Sequence, residues 1–371
     1  MSSPIPMLDL SAQNGPLRDD ILAAMAAVID SNAYILGPDV REFERELGAF
    51  LEARHAIGCS NGSDALVLAL KAIGVGPGDE VITTTFSFFA TAGSIARIGA
   101  VPVFVDIDPV TYNMDPALVA AKITDKTRAI MPVHLYGQLT PMQPLLDLAR
   151  EHDLRIVEDA AQAVGSKENG QSAATIGDVG TLSFFPSKNL GAFGDAGAVV
   201  TNNDEIAEKV RSLRVHGTGR VRYHYEHVGL NSRMDSIQAA VLRVKLPRLE
   251  AWTHGRQRNA AMYDERFAGV EGVGTPKALD GMHHIYNQYT IRVRDRDGLQ
   301  ARLKEQKIGC AVYYPRPLHM QECFAFLGGK EGDCPHAERA CAEVLSLPVY
   351  GELTETQIDR ICAIVKDHVS G

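Results

Sequence analysis

The sequence lacks several features that mark specialised classes of protein. None of its six cysteines forms a C-x-x-C pair, and its 12 histidines make no zinc-like array with them. The long apolar stretch after Phe86 is interrupted by Arg97 and is too mixed to span a bilayer. There is no internal repeat and no low-complexity segment. We therefore expect reduced, mostly structural thiols, no metal site and no membrane-spanning bundle.

Positive charge is also scarce. The chain has 37 Lys and Arg residues against 46 Asp and Glu residues, a net charge of −9, which argues against general binding of nucleic acid or anionic membranes. The first residues show no basic region followed by an apolar one, so we expect a cytoplasmic protein. A length of 371 residues with 45% hydrophobic and 22% charged residues is typical of a globular chain of about two domains.

Strand-like and helix-like segments alternate through the first half of the chain, which predicts an α/β fold with a mostly parallel sheet and helices on both faces. After an amphipathic stretch at residues 235–252 the pattern loosens into a smaller α+β region. We therefore predict a large domain of residues 1–245 and a small domain of residues 246–371. The predicted strands are 55–59, 80–84, 101–105, 129–133, 155–157 and 285–293; the main predicted helices are 21–29, 40–50, 65–73, 90–98, 298–306, 336–345 and one starting near Thr354.

Two segments after predicted strands carry polar groups suited to a ligand. Residues 61–64 (Asn-Gly-Ser-Asp) precede a helix, with Ser63 or Asp64 as the expected N-cap, and such a helix end suits a phosphate. Glu158 and Asp159 follow an apolar strand, at the edge where α/β folds bind ligands. Taken alone, each segment is more commonly explained without a ligand, by ordinary helix capping and by a solvated strand end.

A lysine stands out in the segment of residues 181–197. Lys188 follows an apolar strand and Pro186, among aromatic residues and before a glycine-rich turn. Desolvation there would lower the pKa of its amine and make it a nucleophile able to form a Schiff base. The glycines form no dinucleotide fingerprint, because no strand–helix unit with a downstream acid surrounds them.

A phosphate cup, a carboxylate and a reactive lysine are together the requirements of pyridoxal phosphate chemistry. The carboxylate keeps the ring nitrogen of the cofactor protonated, and the lysine bonds to its aldehyde and moves protons. Motifs in this order along nearly the whole chain resemble the DegT-type nucleotide-sugar aminotransferases, a branch of the fold-type-I enzymes. The matching stretches are residues 6–10, 34–38, 61–64, 158–162, 183–188, 231–235, 238–240 and 346–354.

The resemblance implies a role for each matching residue. Lys188 and Asp159 would be catalytic, with Lys188 bonded to the cofactor and Asp159 paired with its ring nitrogen. Asn231 would complete the phosphate cup of the neighbouring subunit, so a homodimer with shared sites is implied. The other cofactor-binding residues would be Gln162 beside the phenolic oxygen, Phe88 stacked on the ring unless it is plain core packing, and Gly62, Ser63 and Ser183 around the phosphate. Ala196 stands where glycine is common, which would cost stability only at positive φ.

The segment of residues 313–319 matches the sugar-nucleotide segment of the family. Residues 34–38, 135–138 and 184–188 most resemble the branch that acts on UDP-2-acetamido-3-oxo-glucuronate, although His134 is typical of branches that use other keto-sugars. The implied substrate-binding residues are Tyr313, Tyr314, Arg316, His319 and Arg233, whose guanidinium suits a carboxylate or a phosphate; Arg316 could equally be a surface charge.

The sequence thus predicts an aminotransferase that uses pyridoxal 5′-phosphate to move an amino group from L-glutamate to a keto-sugar nucleotide, for surface polysaccharide or another amino-sugar pathway. Two alternatives remain at this point. The first is a sugar dehydratase, which Lys188 disfavours because related dehydratases carry histidine there. The second is a catalytically silent regulatory protein, which would be expected to have lost Lys188 or Asp159.

Overall fold

The computed structural model describes residues 3–221 and 223–371 as an α/β protein. The strands are β1 (His55–Cys59), β2 (Glu80–Thr84), β3 (Val101–Val105), β4 (Thr127–Met131), β5 (Arg155–Asp159), β6 (Lys167–Glu168), β7 (Gln171–Ser172), β8 (Val179–Ser183), β9 (Gly197–Thr201), β10 (Met282–His283), β11 (Tyr289–Arg292) and β12 (Val344–Leu347). The helices are α1 (Leu10–Asn14), α2 (Arg18–Ser31), α3 (Pro38–Leu51), α4 (Gly62–Ala72), α5 (Ala90–Arg97), α6 (Met142–Glu151), α7 (Asp204–Leu213), α8 (Ser236–Lys245), α9 (Leu249–Phe267), α10 (Arg296–Glu305), α11 (Pro335–Glu343) and α12 (Glu355–Val369).

The central sheet has seven strands in the order β1-β9-β8-β5-β4-β2-β3. Its neighbours pair in parallel except around β9, which runs antiparallel to both β1 and β8. The predicted α/β class with a mostly parallel sheet is therefore confirmed. Parallel strands bring the carboxyl ends of β5 and β8 to one edge of the sheet, where the polar residues that follow them meet.

Alternate residues of the strands supply two separate cores. In β5, Ile156 packs with α3, α6 and α8 on one face, whereas Val157 packs with α4, α5 and α7 on the other. This alternation follows from the two-residue period of a strand. Both faces of the sheet are covered, which explains why its strands are apolar nearly throughout.

A third core lies in the second part of the chain. Helices α9, α10 and α12 pack on the two-stranded sheet of β11 and β12, around stacked Tyr263 and Tyr289. Ile5, near the start of the chain, is buried in this core and forms a bridge with Ile308. The predicted division at residue 245 stays a prediction.

The element boundaries follow the sequence patterns closely in the first half. Strands β1, β2 and β3 have the predicted bounds, while the strand predicted at 285–293 covers only Tyr289–Arg292. The helix predicted from residue 65 starts at Gly62, and its N-cap is Asn61 rather than Ser63 or Asp64. Within the described ranges, no helix combines the length and the apolar character that crossing a bilayer requires.

Candidate active site

A cavity of about 1240 Å³ opens where β5 and β8 end and α4 begins. Elements distant in the sequence meet there because the parallel strands point their carboxyl ends to this edge. The structure brings together most of the predicted site residues on its walls: Gly62, Ser63, Phe88, Asp159, Gln162, Ser183, Lys188, Tyr313 and Tyr314.

The N-terminus of α4 forms the first wall. The side chain of Asn61 accepts a hydrogen bond from the Asp64 backbone N–H at 2.8 Å, which caps the helix. The backbone N–H groups of Gly62 and Ser63 bond no acceptor among the described residues. A Cβ on Gly62 would lie 2.7 Å from Ser183 Cβ, so only glycine lets this helix end approach β8 so closely. The result is two free donors and two hydroxyls at the positive end of a helix dipole, a set suited to a phosphate.

The two neighbouring carboxylates of β5 have opposite surroundings. Glu158 points away from the cavity and is fully buried, where it accepts backbone N–H bonds from Ala174, Ile176 and Gly177 at 2.7–2.9 Å and contacts His134 Nε2 at 2.8 Å. Asp159 points into the cavity wall. Of the two predicted candidates, Asp159 is therefore the residue placed to meet a ligand, and Glu158 secures the strand.

Asp159 is buried with few partners of its own. Its Oδ2 accepts from the Thr91 hydroxyl at 2.7 Å, and its Oδ1 accepts from the Ala161 backbone N–H at 3.2 Å. Burial raises the pKa of this carboxyl, against the opposing effect of these two bonds and of Lys188. A cationic N–H donor from a ligand would offset the cost of burying the negative charge.

Lys188 projects into the same cavity from the segment after β8. Its amine makes no hydrogen bond and no ion pair within 4.0 Å in the part of the chain that the structure describes. Burial lowers the pKa of this amine to about 8, partly opposed by the charge of Asp159. A neutral, unengaged amine is a nucleophile and a base, as the sequence predicted. Ala196, in the turn that follows, does not have positive φ and so carries no strain.

Phe88, Gln162 and Tyr314 also line the cavity. The Phe88 side chain is 56% exposed in this chain, so it is not plain core packing, and its ring lies 6.2 Å from that of Tyr314. The Gln162 side chain donates to the Tyr314 hydroxyl at 3.0 Å and accepts from the Tyr136 backbone N–H at 2.8 Å. These bonds fix the glutamine amide at the edge of the cavity.

Four predicted residues lie off the cavity of this chain. Arg316 is exposed and donates to the Met320 carbonyl at 2.7 Å. His319 is buried, with Nδ1 2.7 Å from the Thr85 hydroxyl and Nε2 3.3 Å from Glu338. Asn231 and Arg233 also do not line it, as expected if they serve a neighbouring subunit. The ligand-binding roles of these four residues stay predictions.

Two further residues of the cavity wall, Thr91 and Arg256, have no predicted role from the sequence. Thr91 closes the aromatic segment that contains Phe88, and its hydroxyl, which accepts from Ser87 at 2.7 Å, orients Asp159. Its place in the same short segment as Phe88 is the feature of the sequence that could have indicated it. Arg256, on α9, has no local motif, because only the fold brings this helix to the cavity.

The donor set fits pyridoxal phosphate on three independent counts. Free backbone N–H groups at a helix end suit its phosphate, a buried under-partnered carboxylate suits its ring nitrogen, and an unengaged amine suits its aldehyde. This donor set on this fold fits the class of fold-type-I enzymes that depend on pyridoxal phosphate.

The family follows from comparison with known proteins. Residues 16–366 match the model of the DegT/DnrJ/EryC1/StrS aminotransferase family, and the chain belongs to this family. Aminotransferases of this family depend on pyridoxal phosphate in general.

Two relatives and one solved structure show how close the similarity is. The chain is 54% identical over 355 residues to a pleiotropic regulatory protein of Geobacillus stearothermophilus, covering 95% of each chain. It is 45% identical over 367 residues to a UDP-N-acetyl-3-dehydro-α-D-glucosamine 3-aminotransferase of Acidithiobacillus ferrooxidans, covering 99% of this chain and 98% of the relative. It superposes on DesV of S. venezuelae, solved with a ketimine intermediate, with a TM-score of 0.97 at 41% identity over 100% of both chains.

Proposed function

We propose that this protein transfers the amino group of L-glutamate to the ketone of a UDP-linked 2-acetamido-2-deoxy-3-oxo sugar, with the glucuronate form as the first candidate. The observation that carries the proposal is the meeting of the α4 N-terminus, Asp159 and the free Lys188 amine in one cavity. The motifs shared with the glucuronate branch and the name of the A. ferrooxidans relative support the sugar class.

Each wall of the cavity would bind one part of the cofactor. The N–H groups of Gly62 and Ser63, with the hydroxyls of Ser63 and Ser183, would bind the phosphate. Asp159, oriented by Thr91, would accept a hydrogen bond from the ring nitrogen, and Phe88 would cover the ring face beside Gln162. Asn231 of a second copy would complete the phosphate cup, so we propose a homodimer as the active unit.

Pyridoxal phosphate supplies an electron-withdrawing ring that stabilises negative charge on a carbon next to nitrogen. The protein supplies the proton transfers. With a pKa lowered to about 8, the Lys188 amine is neutral in roughly a tenth of molecules at pH 7 and in half of them at pH 8. In the first half-reaction the neutral Nζ can accept the proton of the donor's α-carbon, and in the second half-reaction the protonated Nζ can donate a proton to the sugar carbon.

The test uses the colour of the purified protein. We expect absorbance of a lysine-bound cofactor that L-glutamate abolishes and that a UDP-linked 3-oxo sugar restores. A panel with and without the C6 carboxylate then identifies the sugar. A colourless protein would contradict the cofactor, and restoration by small α-keto acids alone would contradict the sugar.

A regulatory function is the second candidate, because one relative is named a pleiotropic regulatory protein. A silent binding protein needs neither a free amine nor a carboxylate directed at a ligand, and this chain has both Lys188 and Asp159 in place. Unchanged colour after addition of glutamate would favour this function over transamination. The proposed location in the cytoplasm stays a prediction.

A further inference from the structure

Arg256 is a buried cation on the wall of the cavity. It lies on α9, is only 5% exposed, and lines the cavity. Its Nη1 donates to the carbonyls of Tyr286 and Asn287 at 3.1 and 3.3 Å. No carboxylate of residues 3–221 or 223–371 lies within 4.0 Å of the guanidinium. Such a charge is costly to bury unless an anion joins it.

The guanidinium keeps donors free for such an anion. Its Nε and Nη2 bond no atom of the described residues, yet neither atom is sealed from solvent. Because the residue is almost wholly buried, its accessible donors can open only into the cavity that it lines. Burial without a close carboxylate lowers the pKa of Arg256 to about 10, because no neighbouring negative charge of the described residues fully offsets the cost of burying the guanidinium.

The other cations on the cavity wall are already committed. Arg97 donates to Asp64 at 3.1 Å, and the proposed function assigns Lys188 to the cofactor. Across the described part of the wall, Arg256 is the cation left without a partner of opposite charge. It is therefore the residue best placed to bind a small anion inside the cavity.

Arg256 also lies on the lysine side of the cavity. The side chain of Asn189, next to Lys188, donates to the Ile285 carbonyl at 3.4 Å, and Arg256 holds the two carbonyls that follow Ile285. An amino donor must bring its nitrogen to this end of the cavity, and an α-amino acid carries a carboxylate one carbon away. A planar guanidinium with two free donors matches a carboxylate.

We propose that Arg256 binds a carboxylate of the amino donor and so selects donors that carry this carboxylate. This inference rests on the proposed transamination. The chemistry assigned is a carboxylate on the donor, either the α- or the side-chain group, and not the carboxylate of the sugar.

The experiment measures the first half-reaction by loss of the cofactor absorbance in Arg256→Gln and Arg256→Lys, with L-glutamate, its α-amide and its side-chain amide as donors. We expect the concentration of glutamate that gives the half-maximal rate to rise on the order of 100-fold in Arg256→Gln and less in Arg256→Lys. The variants should also lose the discrimination between glutamate and whichever amide lacks the bound carboxylate. Arg258→Gln, which removes an exposed arginine of the same helix, should behave as wild type.

Several results separate the possibilities. Unchanged glutamate dependence and unchanged amide discrimination in folded Arg256→Gln would overturn the inference. Weaker use of the keto-sugar by the aminated protein, with glutamate unaffected, would also overturn it and assign Arg256 to the sugar. Should Arg256→Gln fail to fold, Arg256→Lys and the amide series decide. A wild-type protein that does not respond to glutamate contradicts the proposed function instead.

Discussion

Two walls of one cavity are built in different ways. The wall that we propose for the cofactor, the cofactor wall, consists of Gly62, Ser63, Asp159 and Lys188, three of them at the ends of regular elements or within the first turn of a helix. The wall that we propose for the substrates, the substrate wall, consists of Arg256, Asn287, Tyr313 and Tyr314, and apart from Arg256 these lie in segments without helix or strand. Element ends anchored in a packed core hold groups in fixed positions, as cofactor chemistry requires. Irregular segments accept changes of sequence more easily, which suits the part of a site that distinguishes substrates.

The largest expected effect comes from Lys188 on the cofactor wall. Lys188→Ala should reduce transamination on the order of 10⁴-fold, because both the nucleophile and the proton carrier are lost. The stability of this variant should not fall, since the amine has no hydrogen-bond or ion-pair partner among the described residues. Steady-state assays and thermal unfolding measure the two quantities.

The control is Lys245→Met. This second buried lysine also has a pKa lowered to about 8, but its amine donates to the Gly191 carbonyl at 2.6 Å and lies outside the cavity. Removing it should cost about 1–3 kcal/mol of unfolding free energy and leave the cofactor absorbance of the folded protein in place. Equal loss of absorbance in the two variants would contradict the assignment of Lys188.

The carboxylates of β5 provide the next test, because substitution should have opposite consequences at adjacent positions. Asp159→Asn should lower kcat/KM by about 10²–10³-fold and weaken cofactor binding. Burial raises the pKa of Asp159 in the folded state. Ionisation of this carboxyl therefore destabilises the ligand-free fold increasingly as the pH rises from the pKa of the unfolded state towards the higher pKa of the folded state. The cofactor-free variant should therefore unfold at a higher temperature than wild type at pH 7.

Glu158→Gln is the matched variant. Glu158 accepts three backbone N–H bonds and contacts His134. Its amide cannot accept at both ends, so the stability should fall by about 2–4 kcal/mol. Destabilisation by Asp159→Asn and tolerance of Glu158→Gln would reverse the assignment of the two residues.

The difference between the walls also explains which residues of the site can be predicted from the sequence. Asp159 and Lys188 on the cofactor wall can be predicted because each comes at or after the end of an apolar strand, and this pattern is visible in a short stretch of sequence. The helix start was misplaced by one turn because Asn61, Ser63 and Asp64 all have capping side chains, and only tertiary packing shows that Asn61 caps. Arg256 could not be found, since its role depends on how α9 packs in the fold.

His319 shows the same limit from the other side. Its position in a segment with two tyrosines predicts a ligand contact, which stays a prediction, and in this chain its ring contacts Thr85 and Glu338. The proposed roles of Asn231 and Arg233 involve a second copy of the chain, which the family resemblance implies and the structure of a single chain does not test. The residues whose roles depend on long-range packing or on assembly are thus the ones that short sequence patterns do not predict.

The pH dependence of cofactor uptake tests the environment of the cofactor wall with a smaller effect. Because burial lowers the pKa of Lys188 to about 8, the rate at which cofactor-free protein takes up pyridoxal phosphate should rise about tenfold from pH 7 to pH 9 and then level off. A lysine with an ordinary pKa would give a rise of about 100-fold without a plateau. Reductive trapping and peptide mapping verify that Lys188 is the residue modified.

The smallest effects are expected for His319 and Arg316, the two predicted substrate residues that lie off the cavity of this chain. His319→Ala removes the buried contacts to Thr85 and Glu338, so it should lower the unfolding free energy by about 1–3 kcal/mol. Arg316→Gln changes an exposed side chain and should alter stability by less than about 0.5 kcal/mol. If neither residue reaches the sugar, the KM for the keto-sugar should stay within about threefold of the wild-type value in both variants. A tenfold rise in a stably folded variant would place the substituted residue on the substrate wall. Such a rise would also show that residues 316–319 move towards the cavity on binding, and that the irregular wall, unlike the cofactor wall, is completed by its ligand.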